Sequence, residues 1–164
     1  MSRTETGLAV TRTLATPDDT RELGRRVASQ LRPGDLVLLV GPLGAGKTVF
    51  AQGVGDGLGV SGQVTSPTFV ISRVHRAGKP GDPPLVHVDA YRLGGVAEVD
   101  DLDLDADLER SVTLVEWGGG LVEHLAPDHL EVRLRRGADT DVRTAELVGH
   151  GTTWTARLEQ LRAG

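Results

Sequence analysis

Gly41-Pro42-Leu43-Gly44-Ala45-Gly46-Lys47-Thr48 is the stretch on which the reading of this chain turns. It fits the pattern G-x-x-x-x-G-K-[ST], and it sits between the elements that pattern requires. Ahead of it, Asp35 opens an unbroken apolar run, Leu36 to Val40, of the kind found in a strand buried on both faces. Behind it, a helix is predicted from Lys47 to Leu58, stopped by Gly59. Each position of the loop has a chemical task. Its glycines let backbone amides curl around an anion, and the helix N-terminus adds its positive dipole end. Lys47 reaches toward the β- and γ-phosphates of a nucleotide, and Thr48 offers a hydroxyl to Mg²⁺. A tight strand-to-helix turn would explain the glycines, but it needs neither the lysine nor the threonine.

Upstream of the loop, Leu8 to Leu14 alternates apolar and polar residues as a half-exposed strand does. Thr16-Pro17-Asp18-Asp19 then predicts a helix start, with Leu23, Val27 and Leu31 on one face and Pro33-Gly34 as the stop. Downstream, Gln63 to Thr68 is polar and turn-like, and Phe69 to Val74 predicts a strand. Residues 76–84 hold Gly78, Pro80, Gly81, Pro83 and Pro84, an exposed loop. Strand-like residues resume at once, Leu85 to Val88, so this loop is read as a hairpin connection and not as a domain boundary. Val112 to Val115, Leu130 to Leu134 and Arg143 to Val148 predict further strands, while Trp154 to Leu161 suits a strand or a short helix equally. The pattern is α/β: a single P-loop NTPase-like domain over 1–164, with a mixed central sheet flanked by helices.

A nucleotide site of this kind needs acids at the ends of neighbouring strands, to hold Mg²⁺ or orient a water. Two apolar runs end in one: Leu85-Val86-His87-Val88-Asp89 and Val112-Thr113-Leu114-Val115-Glu116. Either carboxylate would equally serve to cap a loop. Their recurrence after the loop motif favours a site, with phosphoryl transfer from MgATP to water as its chemistry.

Composition removes other classes. A length of 164 residues suits one domain, and the absence of cysteine removes disulfides, thiolate metal sites and cysteine nucleophiles. A net charge of −5, a pI near 5.5 and 3% aromatics argue against a broad phosphate-gripping or base-stacking face, and so against DNA as a direct partner. No apolar run approaches the roughly 20 residues that span a bilayer, and the first residues lack a long apolar stretch, so a cytoplasmic address is predicted. Of 18 basic residues only Lys47 and Lys79 are lysines, which singles out the lysine of the loop. Asp101, Asp103, Asp105 and Asp107 alternate with apolar residues, but Ala106 and Val112 stand where a calcium loop needs glycine and a bidentate acid. The five histidines show no ligand spacing, and His87 is read as a strand residue with its ring satisfied locally. There is neither a Ser-His-Asp arrangement nor a G-x-S-x-G turn.

LGAGKT, then SPTF at Ser66 to Phe69, HVDAYRL at His87 to Leu93 and LVEW at Leu114 to Trp117, taken in this order, resemble the TsaE family, also called YjeE. These are small bacterial ATPases required to form threonylcarbamoyladenosine in tRNA. The resemblance, over roughly Thr20 to Leu134, implies ATP cradled by Leu43, Gly44, Ala45, Gly46, Lys47 and Thr48, with Mg²⁺ on Thr48 and Glu116. It also implies a Walker B-like role for Asp89 and a switch-like role near the γ-phosphate for Thr68, with Thr65 and Ser66 as weaker candidates. Trp117 would lie near the nucleotide, or else simply pack half-buried, and adenine would lie against Thr13 to Asp18. The implied partners are TsaD and TsaB, which transfer the threonylcarbamoyl group to adenosine 37, so tRNA is met indirectly.

Two positions depart from the family's habit. Pro42 replaces an acidic residue after the first glycine and removes one loop amide, and Val49 replaces a second threonine and its hydroxyl. Weaker affinity is expected from both before lost function. Two further function classes stay open. A small-molecule P-loop kinase would use the same loop with an acceptor pocket and an arginine-bearing lid; a nucleotide-dependent switch would use it to bind a partner with no catalytic role.

Overall fold

In a computed structural model the described residues are 9–42, 45–60, 62, 64, 72–89, 109–116, 128–137, 140 and 142–163. Five consecutive apolar residues make β2 (Leu36–Val40), and all but the last are buried. A strand with no polar face cannot sit at an edge, and β2 lies at the centre of a seven-stranded sheet. The others are β1 (Ala9–Leu14), β3 (Ser72–His75), β4 (Leu85–Asp89), β5 (Val112–Glu116), β6 (His129–Arg136) and β7 (Arg143–His150). Their order is β1-β7-β6-β2-β5-β4-β3, with β2 parallel to β5 and β6, β4 parallel to β5, and antiparallel pairs at both flanks. The mixed sheet expected from the sequence is therefore present. β1, whose burial alternates along its length, lies at one edge.

Helix α1 (Pro17–Ala28) begins as the sequence predicts. Thr16 accepts from the Asp19 amide, Asp19 bonds back to the Thr16 amide, and Pro17 fills the first helical position. It ends earlier than Pro33-Gly34 would place it. The Ser29 hydroxyl donates to the Arg26 carbonyl, and the Gln30 and Leu31 amides take carbonyls only three residues back, which tightens the last turn and closes the helix at Ala28. Helix α2 (Lys47–Leu58) has the predicted bounds, ending at Gly59 with φ 73°. The undecided C-terminal segment is helical: a 3₁₀ turn, Thr152–Trp154, runs into α3 (Thr155–Ala163). The described strand β3 covers Ser72–His75, so the predicted Phe69, Val70 and Ile71 lie outside the described residues. It pairs antiparallel with β4 across 76–84, as a hairpin connection should.

One face of the sheet carries α1, α2 and α3 on a shared core that includes Val37, Leu39, Leu114, Val132, Leu147, Phe50, Val54, Val27 and Trp154. Glycines set how closely α1 meets α2. A Cβ on Gly24 would fall against the Phe50 carbonyl, and one on Gly53 against the Arg21 carbonyl. That contact seats α2, and with it the Lys47-Thr48 end of the loop motif, on α1. No described helix is long and apolar enough to cross a membrane.

Candidate functional site

The loop motif leaves the C-terminal end of β2 between β5 and β6, the position at which open α/β sheets take ligands. Gly41 is required by approach: a Cβ there would stand 2.7 Å from the Leu134 carbonyl on β6. Gly46 is required by conformation, with φ 101°. Because Gly46 precedes α2 it gives that helix no side-chain cap, which leaves the N-terminal end to a ligand. Ala45 is buried and Thr48 half-buried at this end. Leu43 and Gly44 lie outside the described residues.

Lys47 and Glu116, 69 positions apart, meet here. Lys47 Nζ stands 3.6 Å from Glu116 Oε1, and both side chains are over nine-tenths buried. The register explains the meeting, since Glu116 closes β5 beside Leu39 of β2, one residue from the strand's end, and Lys47 opens the helix that follows. On its other side Glu116 Oε2 accepts a 2.7 Å hydrogen bond from His87 Nε2. Burial pushes the Glu116 carboxyl up, but the hydrogen bond and charge of His87, and then Lys47, outweigh it and hold the carboxyl below its ordinary range.

His87 is the site residue that sequence reasoning missed. Its ring is bound to another strand and not satisfied locally, and its Nδ1 has no hydrogen-bond partner among the described residues. Strand register held the signal, because His87 pairs with Leu114, two residues before Glu116, so by alternation it shares the face of Glu116. Asp89 pairs in register with Glu116 at the ends of β4 and β5, so the backbone brings both predicted acids to one edge of the site. Thr65, Ser66, Thr68 and Trp117 lie outside the described residues, as does the aspartate series 101–107. Among the described residues there is no group of three or more His, Cys, Asp or Glu side chains placed to hold a metal ion.

Beside the loop is a cavity of about 150 Å³ lined by Pro17, Thr20, Gly46, Val49 and Arg143. Pro17 belongs to the Thr13 to Asp18 segment expected to face the base. Val49 lines the cavity with an apolar side chain at the place where a hydroxyl was noted as missing.

The sequence profile of the family described as threonylcarbamoyl adenosine biosynthesis protein TsaE matches residues 14–145. A curated relative of that name from Streptomyces coelicolor is 56% identical over 148 residues, covering 88% of this chain and 99% of the relative. Relatives of the same name from Mycobacterium bovis and Bacillus subtilis are 52% and 36% identical, covering 82% and 88% of this chain and 84% and 89% of their own lengths. The crystal structure of Bacillus subtilis YdiB superposes with a TM-score of 0.75 at 30% identity, over 94% of each chain.

Proposed function

The chain belongs to the TsaE family of tRNA threonylcarbamoyladenosine biosynthesis, and from that premise we propose that it is the Mg²⁺-dependent ATP hydrolase of that pathway, working with TsaD and TsaB. The observation that carries this reading is the buried pair Lys47 and Glu116 at the mouth of an uncapped helix. A cation and a carboxylate taken out of water together are costly unless a ligand uses them. Their chemistry fits what the loop motif implies. Thr48 and Glu116 supply hard oxygen donors of the type Mg²⁺ takes, and Lys47 with the loop amides supplies positive charge for phosphates.

When bound, MgATP brings the scissile γ-phosphoryl group and a divalent charge that neutralises its oxygens. The chain does the rest. Lys47 leaves Glu116 to hold phosphate oxygens, and Glu116 and Thr48 hold the metal side. Leu43, Gly44, Ala45 and Gly46 wrap the phosphates, Asp89 orients water or the metal shell, and Thr68 serves as the switch-like hydroxyl. Trp117 borders the nucleotide, and the cavity at Pro17, Thr20 and Val49 takes the base. The acidic charge suits a subunit that meets tRNA through its partners, in the cytoplasm.

The test is phosphate release from ATP by the purified chain, alone and with TsaB and TsaD from the same cell, with and without Mg²⁺. Stimulation by the pair with no added acceptor is expected. Phosphate transferred to a small molecule, with no response to the pair, would overturn the reading in favour of a kinase. Glu116→Ala should depress turnover more than nucleotide affinity, and an equal mild loss in both would remove Glu116 from the metal.

A further inference from the structure

His87 is fully buried on β4, and its one polar tie among the described residues is the 2.7 Å bond from Nε2 to Glu116 Oε2. A carboxylate only accepts, so Nε2 carries the hydrogen and donates it. The opposite ring nitrogen, Nδ1, is buried with no hydrogen-bond partner among the described residues. An unmet polar atom in an apolar interior is a cost to the fold, and a leucine or phenylalanine would fill the same space without it. Packing alone therefore does not account for a histidine here.

Geometry supplies the account. His87 pairs in register with Leu114, two residues short of Glu116, so it sits one pleat back from the strand end on the face from which the carboxylate projects. It grips Oε2 and leaves Oε1 toward Lys47, 3.6 Å away, and the phosphate loop. Lys47 cannot be the permanent anchor of that carboxylate, because the same ammonium is the one group in the loop built to move onto phosphate. His87 has no such second task. We propose that His87 is a positioning residue: it fixes the rotation of the Glu116 carboxylate, so that Oε1 is already presented to the metal side of the nucleotide when Lys47 departs. The inference rests on the assignment of Glu116 to the metal in the preceding reading. Groups that hold a ligating carboxylate from behind typically matter about 10- to 100-fold for metal affinity.

The test compares full-length wild type with His87→Leu, which removes the donor, and His87→Gln, whose amide nitrogen reaches roughly as far as Nε2. Binding of a fluorescent N-methylanthraniloyl-ATP is titrated in Mg²⁺ and in EDTA, and the ratio of the two affinities is the readout. In His87→Leu that ratio should fall by about 10-fold or more, with the EDTA affinity within about 3-fold of wild type, and His87→Gln should restore most of it. Thermal unfolding checks that each variant is folded; if His87→Leu is not, His87→Asn takes its place, since its amide is too short to reach Oε2. A folded variant without the donor that keeps the wild-type ratio would overturn the proposal, as would equal ratios with and without the donor. Glu116→Gln separates the two layers of the argument. A ratio lost there but kept in His87→Leu sinks the positioning role alone, whereas a ratio kept in Glu116→Gln removes Glu116 from the metal and the inference with it.

Discussion

Lys47 carries two interactions that exclude one another in time: an ion pair with Glu116 at 3.6 Å and the phosphate contact that the loop implies. Lys47→Ala should cost nucleotide binding about 1.5–3 kcal/mol, roughly 10- to 150-fold in affinity, because a charge-assisted hydrogen bond of that size is removed. Nucleotide titration by fluorescence or calorimetry measures it, and a loss under about 3-fold would mean that the ammonium stays on Glu116. The Glu116 carboxylate keeps its bond to His87 in that variant, so folding should survive. At this scale the sequence was legible wherever a residue's role depends on its neighbours in the chain. Gly46, Lys47 and Thr48 are read off a local pattern, and Glu116 off the end of an apolar run. His87 was not, because its partner is 29 positions away and only the pairing of β4 with β5 brings the two together.

At the scale of elements, the contact between α1 and α2 makes a sharp prediction. Gly53 meets the Arg21 carbonyl so closely that a Cβ has no room, and the obstruction is backbone, which cannot swing aside. Gly53→Ala should destabilise by about 1–3 kcal/mol through overpacking, although alanine is the better helix former. Gly62→Ala, at φ 78° with nothing within 4 Å of the new Cβ among the described residues, should cost about 1 kcal/mol, from backbone strain. Chemical denaturation gives both, and equal costs would mean that the helices simply part.

The antiparallel flank offers a pH test. Burial pushes the Glu131 carboxyl up, but the hydrogen bonds from Arg133 and His150 outweigh it and hold the carboxyl below its ordinary value. A carboxyl depressed in the folded state adds stability that is full above its unfolded pKa and is lost as pH falls through the folded one. Glu131→Gln should therefore flatten the acid limb of stability below about pH 4.5, and an unchanged limb would show that Glu131 does not contribute. Element types were legible from periodicity and caps, as β2 and α2 show with their predicted bounds. The end of α1 was not, because the Ser29 back-bond competes locally with continued helix and leaves Pro33 nothing to stop.

For the molecule as a whole, the sheet order β1-β7-β6-β2-β5-β4-β3 is the part that sequence reading could not supply. Apolar runs announce strands, but the choice of neighbours depends on long-range packing, here on how α1, α2 and α3 share one face. α3 illustrates this. Its helical state is secured by contacts distant in sequence: Trp154 buried in the core, Arg157 paired with Asp35 at 2.6 Å, and Arg26 donating to the Leu161 carbonyl. The same long-range assembly builds the site, which needs β2, α2, β4 and β5 together and so exists only in the folded chain. A ligand of such a site stabilises by mass action. At a hundred times its Kd, MgATP should add about 2.7 kcal/mol, which for a chain of 164 residues is a rise in Tm of roughly 5–11 °C. Thermal unfolding with and without MgATP measures it, at a concentration set from the Kd of each protein's own titration. At the wild-type concentration Lys47→Ala should show about half to nine-tenths of that rise lost, and should recover it only when MgATP is raised in proportion to the weakened Kd. A full rise in Lys47→Ala at the wild-type concentration would mean that the ammonium does not hold the nucleotide and stays on Glu116, the same conclusion that an affinity loss under about 3-fold would give.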